Sequence, residues 1–154
     1  MKPFFDFAGR SALGVWMRGS RYAFPAFEMT HLVGLGVLLG SVLLLNARFF
    51  GLGMKRQTLA EVAADFAPWT KVALILMVVS GIPMFASKAP DLWDNDLVGY
   101  IVKMSLIVVG VVFHYSVQAP LARAENLSSG RVAAALSLIF WFGAAVAGLS
   151  LEFL

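Results

Sequence analysis

One stretch constrains the fold of this chain more than any other: residues 24–50, which read FPAFEMTHLVGLGVLLGSVLLLNARFF. It is almost wholly apolar, and a membrane-spanning helix needs roughly 17–25 such residues. It carries two ionisable side chains one helical turn apart, Glu28 and His31. Ionisable groups are costly inside a membrane and mark functional sites there. The stretch therefore predicts a membrane helix with a functional pair near its start.

The composition extends this conclusion to the whole chain. The 154 residues are 60% hydrophobic and 14% charged, whereas soluble domains carry about 25% charged residues. The net charge of +3 comes from basic residues in the loops and the N-terminal segment, a pattern typical of membrane topology and not of nucleic-acid binding. The absence of cysteine excludes disulfides, iron–sulfur clusters and cysteine nucleophiles.

Four apolar segments predict an all-α integral membrane four-helix bundle, a single domain with up-down topology. The predicted spans are residues 24–50, 69–87, 97–117 and 132–151. Before them, residues 1–23 mix aromatic and basic side chains. This mixture predicts an N-terminal interfacial segment, either a short helix lying on the headgroups or a partly ordered arm.

The polar stretches between the spans are predicted to lie at the membrane surfaces. Residues 54–68 keep a helical pattern and predict an amphipathic connector. Residues 88–96 predict a loop, and residues 118–131 predict a polar turn. Within the second span, Gly81 and Pro83 predict a bend, because proline removes a helical hydrogen bond.

The basic residues favour one orientation in a bacterial inner membrane. Those at the first and third connections are Arg48, Lys55, Arg56, Lys71, Arg123 and Arg131. The middle connection is net acidic. Since cytoplasmic loops carry the excess of lysine and arginine, the first and third connections are predicted to be cytoplasmic and the termini periplasmic. Four basic residues before the first span favour the opposite orientation.

The leading functional hypothesis is a b-type heme in transmembrane electron transfer, held by histidine. His31 and His114 differ in depth by roughly 20 Å at about 1.5 Å per residue, so one protomer cannot clamp a single heme between them. We expect either histidine to pair with its mate across a two-fold dimer, or His31 to pair with Met84. His31 is the preferred ligand, and Lys103 or an arginine such as Arg48 would hold a propionate. A redox partner protein or a quinone would exchange the electrons.

A small-residue face on the first span predicts a homo-oligomer. Gly36 and Gly40 form a GxxxG pair, and such faces let helices approach closely. The dimer that would place two histidines at one depth would use this face.

Two other functions stay open. Glu28 and His31 share a helical face and lie at the depth of Met29, Met84 and Met104, and thioether ligands favour Cu(I). These residues would form a copper site in a copper-handling membrane protein. Alternatively, Glu28 pairs with Lys103, which would fix the first and third spans together in a non-redox anchor or assembly subunit.

The first span also resembles a family of uncharacterised bacterial four-span membrane proteins. Their pattern is close to E-x-x-H-x-x-G followed by Asp-Leu-Arg-x-x-Gly. The matching positions here are Glu28, His31, Gly34, Gly40, Arg48 and Gly51. Asn46 and Ala47 stand where Asp-Leu is usual, and Lys103 is similar to a lysine of that family. More distantly, the layout resembles copper-resistance and cytochrome b561-type membrane proteins, which implies copper or heme.

Overall fold

The computed structural model describes residues 1–150, and this part of the chain is all-helical. Its helices are α1 (Lys2–Arg10), α2 (Ala12–Gly19), α3 (Ala23–Phe49), α4 (Leu59–Asn95), α5 (Leu97–Phe113), α6 (Ala119–Arg123) and α7 (Leu127–Ser150). A π-helical turn, His114–Gln118, joins α5 to α6. Four helical stretches are long and apolar enough to cross a membrane: α3, α4, the continuous α5–α6 arm, and α7. The predicted all-α fold is confirmed.

The four long helices pack in the order α4, α3, α7, α5. Helix α3 contacts α4 on one side and α7 on the other, and α5 packs against α7. Although α4 and α5 are consecutive in the chain, they contact each other far less. Helix α7 therefore separates α3 from α5, and a seam runs between α4 and the α5–α6 arm.

Buried apolar side chains form three clusters along the bundle. The cluster at one end comprises Leu45, Phe49, Leu59, Val62, Ala122 and Ala134. The central cluster comprises Leu38, Val42, Ala73 and Trp141. The cluster at the other end comprises Phe5, Ala89 and Leu92. Many other apolar side chains of the long helices are exposed, as expected for a surface that contacts lipid chains.

The N-terminal segment consists of two short helices packed against the end of α4. Pro90 has no N–H, so the carbonyl of Ala86 lacks its helical donor. Arg18 Nη1 lies 3.4 Å from this carbonyl and 3.0 Å from that of Ser87 and donates to both. A Cβ on Gly14 would lie only 2.7 Å from the oxygen of Ala86. Arg18 thus satisfies a carbonyl that a proline leaves open, and this contact fixes α2 to α4.

Helix α4 is longer than the second predicted span and includes most of both flanking polar stretches. Residues 59–68, predicted as part of a separate connector, form its first turns behind a capping box between Thr58 and Glu61. The predicted loop of residues 88–96 is helical through Asn95. The prediction of a loop was wrong because neighbouring groups such as Arg18 can satisfy the carbonyls that prolines leave open in a helix.

The third connection is also shorter than predicted. The α5–α6 arm runs on to Arg123 and α7 begins at Leu127, so the predicted turn of residues 118–131 shrinks to residues 124–126. The π-helical turn precedes Pro120. In an unbroken α-helix this proline could not donate to the carbonyl of Ser116 and its ring would clash with it. The wider turn lets the chain continue as a helix.

Candidate functional site

His31 lies in the contact between α3 and α4. Its Nδ1 is 2.9 Å from Ser80 Oγ, and Ser80 donates its own proton to the carbonyl of Leu76 at 2.6 Å. Ser80 therefore accepts from His31, which places a proton on Nδ1. A Cβ on Gly81 would lie 3.3 Å from ring atom Cε1. The ring is thus held against the backbone of α4, where the missing side chain of Gly81 makes room for it.

The structure does not bring all of the predicted copper ligands together. Met29 is 62% exposed, and residues two apart on a helix do not share a face, so its side chain points away from that of His31. Met104 is also exposed, on α5, which packs on α7 and not on α3. Met84 is half-buried, one turn beyond Ser80 on α4. Within residues 1–150, no three histidine, aspartate or glutamate side chains are grouped to hold a metal ion.

The predicted ion pair between Glu28 and Lys103 is not formed within residues 1–150. The physical reason is the packing order, since α7 lies between α3 and α5. Lys103 instead reaches toward α7, where a Cβ on Gly148 would lie 3.2 Å from its Nζ. Glu28 is half-buried near the start of α3.

His114 lies in the π-helical turn at the opposite end of the bundle, buried among polar side chains. Its Nδ1 is 3.0 Å from Gln118 Oε1. Gln118 Nε2 donates to Asn46 Oδ1, Asn46 Nδ2 donates to Ser137 Oγ, and Ser137 Oγ donates back to Gln118 Oε1. Gln118 and Asn46 are fully buried and Ser137 is nearly so. The three side chains form a closed cycle that joins α3, the π-helical turn and α7.

The cycle determines which nitrogen of His114 carries the proton. Gln118 donates through its amide nitrogen, so its oxygen faces His114, and an amide oxygen can only accept. His114 must therefore donate through Nδ1, and in the neutral imidazole Nε2 is the unprotonated nitrogen. Nε2 forms no hydrogen bond within residues 1–150. A histidine held at one nitrogen with the other available is the usual arrangement of a metal ligand.

A cavity of about 320 Å³ lies beside His114, in the seam between α4 and the α5–α6 arm. On the α4 side it is lined by four alanines at helical spacing, together with Phe66 and Thr70; the alanines are Ala60, Ala63, Ala64 and Ala67. The facing wall includes His114 and Tyr115, whose rings meet edge to face with centroids 5.0 Å apart. We call this space the His114 cavity.

Two cationic side chains, Lys71 and Arg123, also line the His114 cavity, and both are exposed. No acidic side chain among residues 1–150 lines it. The cavity therefore combines an apolar wall, one fixed imidazole and positive charge, which suits a flat lipophilic molecule with an anionic group.

The third connection is fastened to α4 at one end of this cavity. The Glu125 carboxylate accepts from the N–H of Ala60 at 2.8 Å and from that of Leu59 at 3.1 Å. The hydrogen bond from Ala60, then that from Leu59, lowers the pKa of the Glu125 carboxyl below its ordinary value. Glu125 thereby holds the end of the α5–α6 arm against the alanine wall.

The structure agrees with the depths inferred from the sequence. Asn46 lies at the level of His114, since Gln118 bonds to both. At about 1.5 Å per residue, the stretch of α3 from His31 to Asn46 spans roughly 22 Å, so the two histidines cannot share one heme within a protomer. Arg48, predicted to hold a propionate, donates through Nε to the carbonyl of Gln57 at 3.0 Å and does not line the His114 cavity.

Several residues of this site were not identified from the sequence: Gln118, Ser137, Lys71, Tyr115 and Arg123. One signal was present, because Gln118 follows His114 by four residues and so shares its helical face. The wall of alanines carries no such signal, since alanine is common in membrane helices whatever they contact.

The chain matches the DUF6644 family, a family of unknown function, over residues 4–154. It belongs to this family. No curated protein and no solved structure matches the chain. This match agrees with the predicted resemblance to a family of uncharacterised proteins. The more distant resemblance to cytochrome b561-type and copper-resistance proteins receives no support from these comparisons.

Proposed function

We propose that this protein binds heme b in the His114 cavity and transfers electrons at the membrane. The observation that carries the proposal is the fixed imidazole: Gln118 holds Nδ1 of His114, and Nε2 is left without a partner within residues 1–150 beside a cavity. Heme iron accepts a neutral imidazole nitrogen as an axial ligand. A hydrogen bond at the other ring nitrogen orients such a ligand and increases its basicity.

The other walls of the cavity supply what a porphyrin requires. The alanines of α4 present a surface without long side chains, against which a flat ring can lie. Lys71 and Arg123 would bind the two propionates, since both side chains pair with carboxylates. The volume of about 320 Å³ is at the low end of ligand sites, so the outer edge of the ring would extend along the seam toward lipid.

The proposal keeps the function expected from the sequence and changes the preferred ligand from His31 to His114. A heme bound to His31 on its α4 side would have to separate two packed helices, because the imidazole lies against Gly81 and bonds to Ser80. We therefore propose one heme in each protomer. Its redox partner would be a protein or a quinone that reaches the exposed side of the cavity.

We also propose that copies of the chain associate through the Gly36–Gly40 face of α3, in a bacterial inner membrane with the termini periplasmic. In the single chain, nothing lies within 4 Å of a Cβ built on either glycine, so this face is open to lipid or to a second protomer. Disulfide cross-linking of a Gly36→Cys variant in membranes tests the association. Cross-linking no faster than that of Gly19→Cys, at a glycine that also has nothing within 4 Å of an added Cβ, would contradict it.

The proposed function is tested by visible absorption spectra of the purified protein, oxidised and then reduced with dithionite, with metal analysis of the same sample. We expect a Soret band that shifts on reduction and about one heme per chain. His114→Ala should lower the heme content at least tenfold, whereas His31→Ala should retain it. Circular dichroism of both variants separates ligand loss from misfolding.

Two results would overturn the proposal. A folded His114→Ala variant that keeps its heme would remove His114 as the ligand. Colourless protein that stays colourless after heme is supplied during expression would remove heme altogether, and stoichiometric copper in that sample would favour the copper hypothesis on Glu28 and His31.

A further inference from the structure

Resting on the function proposed above, we infer that the His114 cavity also binds a small uncharged ligand, such as a diatomic gas, at the heme iron. Heme iron has two axial positions, and the side chains on the side opposite the histidine decide between electron transfer and the binding of small molecules. His114 would occupy one of these positions. The other side chains that line the cavity supply no ligand for the second position.

The polar groups of the cavity are few. His114 is the only histidine that lines it, and no methionine within residues 1–150 lines it. The other lining side chains with a polar atom are those of Thr70, Lys71, Tyr115 and Arg123. The position or the chemistry of each one argues against a role as the second axial ligand.

Tyr115 lies on the same wall of the cavity as His114. It follows His114 directly in the π-helical turn, and the two rings meet edge to face with their centroids 5.0 Å apart. The two axial positions lie on opposite faces of a porphyrin, so the second ligand must come from the wall that faces the imidazole. Tyr115 lies beside the imidazole and not across the cavity from it.

The remaining polar groups are two cations and one hydroxyl. A lysine ammonium and an arginine guanidinium carry donors only, so neither Lys71 nor Arg123 offers a lone pair to a metal in its charged form. The Thr70 side chain is buried, and its hydroxyl donates to the carbonyl of Phe66 at 3.1 Å. A neutral hydroxyl of this kind is not among the axial ligands that proteins use for heme.

The α4 wall, which faces His114, presents mainly methyl groups. Four alanines line it at helical spacing. An alanine side chain ends at Cβ, so it cannot reach a metal, and it takes up less of the cavity than any longer side chain would. Because the propionates would pair with Lys71 and Arg123, the surface left for the second ligand is apolar, which favours an uncharged molecule of few atoms.

The test uses the purified full chain, reduced with dithionite, and follows its visible spectrum as carbon monoxide is added. The Soret band of wild type should shift and saturate at about one carbon monoxide per heme. Ala64→Met and Ala67→Met each place a thioether, an axial ligand of heme in other proteins, on the α4 wall. At least one of them should bind carbon monoxide about tenfold more weakly, because the thioether competes for the iron.

The matched control is Ala135→Met, at an exposed position of α7 that does not line the cavity. It should bind carbon monoxide as wild type does. Circular dichroism and the heme content of each variant establish that it is folded and loaded before the gas is added.

Two results would overturn the inference alone. Heme-loaded wild type could fail to respond to carbon monoxide, which would mean that a side chain occupies the second position; a response regained in Lys71→Gln would identify that side chain as Lys71. Both α4 variants could bind carbon monoxide as tightly as Ala135→Met, which would mean that this wall does not face the second position. Colourless protein would overturn the proposed function as well, and the spectrum recorded before the gas is added distinguishes this result from the other two.

Discussion

The two histidines of this chain lie at opposite ends of one bundle and differ in what surrounds them. His31 is held between two helices that touch, with Ser80 at one ring nitrogen and the backbone of Gly81 against the ring. His114 is held by Gln118 in a π-helical turn, at the edge of a cavity. Both rings donate through Nδ1, and a cavity of about 320 Å³ lies beside His114.

The difference shows that a membrane helix can accommodate a histidine in two kinds of surroundings. Close packing of α3 and α4 uses His31 as a hydrogen-bond donor between helices, which is enough to satisfy a polar group in lipid. At the other end, a cavity lies between α4 and the α5–α6 arm, and a polar cycle holds His114 beside it. The packing order of the helices therefore places a cavity beside His114.

The largest difference between the two ends of the bundle is expected in the free energy of unfolding when one glycine at each end is replaced by alanine. A Cβ on Gly130 would overlap two ring atoms of Phe49, a fully buried side chain. Gly130→Ala should lower the free energy of unfolding by about 3 kcal/mol. A Cβ on Gly81 would lie 3.3 Å from Cε1 and 3.7 Å from Nδ1 of His31, so Gly81→Ala requires a smaller shift and should cost about 1 kcal/mol. SDS-induced unfolding in detergent measures both, and equal losses would contradict this difference in packing.

The polar cycle is tested by Asn46→Leu. The substitution leaves buried Gln118 Nε2 without an acceptor, so we expect a loss of about 2 kcal/mol in the free energy of unfolding. Asn95→Leu is the control, because Asn95 is exposed and makes no side-chain hydrogen bond within residues 1–150. If the two variants unfold alike in the same SDS titration, the polar cycle does not stabilise the end of the bundle that contains His114.

Removing the partner of His31 should have a smaller effect. Ser80→Ala removes one hydrogen bond to the ring and should cost about 1 kcal/mol, with the heme content unchanged. Ser105→Ala, at an exposed position on α5, is the control for loss of a hydroxyl group. Loss of heme from the Ser80→Ala variant would make His31 the candidate heme ligand again.

The smallest effect is expected at Glu125, which closes one end of the His114 cavity. Because folding lowers the pKa of its carboxyl, its contribution to stability is fully present above the ordinary pKa of 4.5 and is lost as the pH falls through the lowered value. Thermal unfolding of Glu125→Gln should therefore differ slightly from that of wild type at pH 7 and converge with it in acid. Asp6→Asn serves as the control. A difference between Glu125→Gln and wild type that grows in acid would contradict a stabilising role for the Glu125 carboxylate.

The sequence by itself predicted the all-α fold class, the four helices able to span a membrane and the separation of the two histidines along the bundle. A bilayer offers no partner for a backbone amide, so a spanning segment must satisfy its own hydrogen bonds, and apolar segments of about 20 residues do so as helices. The rise per residue then placed His31 and His114 at different depths. The ends of the helices were predicted less well, because proline and polar residues near α4 suggested breaks that the capping box at Thr58 and the contact of Arg18 with Ala86 remove.

Only the tertiary structure decided which polar residues meet. Depth is a property of one helix, but contact depends on the order in which helices pack, and no local pattern encodes that order. Helix α7 lies between α3 and α5, so Glu28 does not pair with Lys103. The same order brings Ser137 of α7 to Gln118 and Asn46, and leaves the cavity beside His114, because the side chains that would have filled it on α4 are alanines.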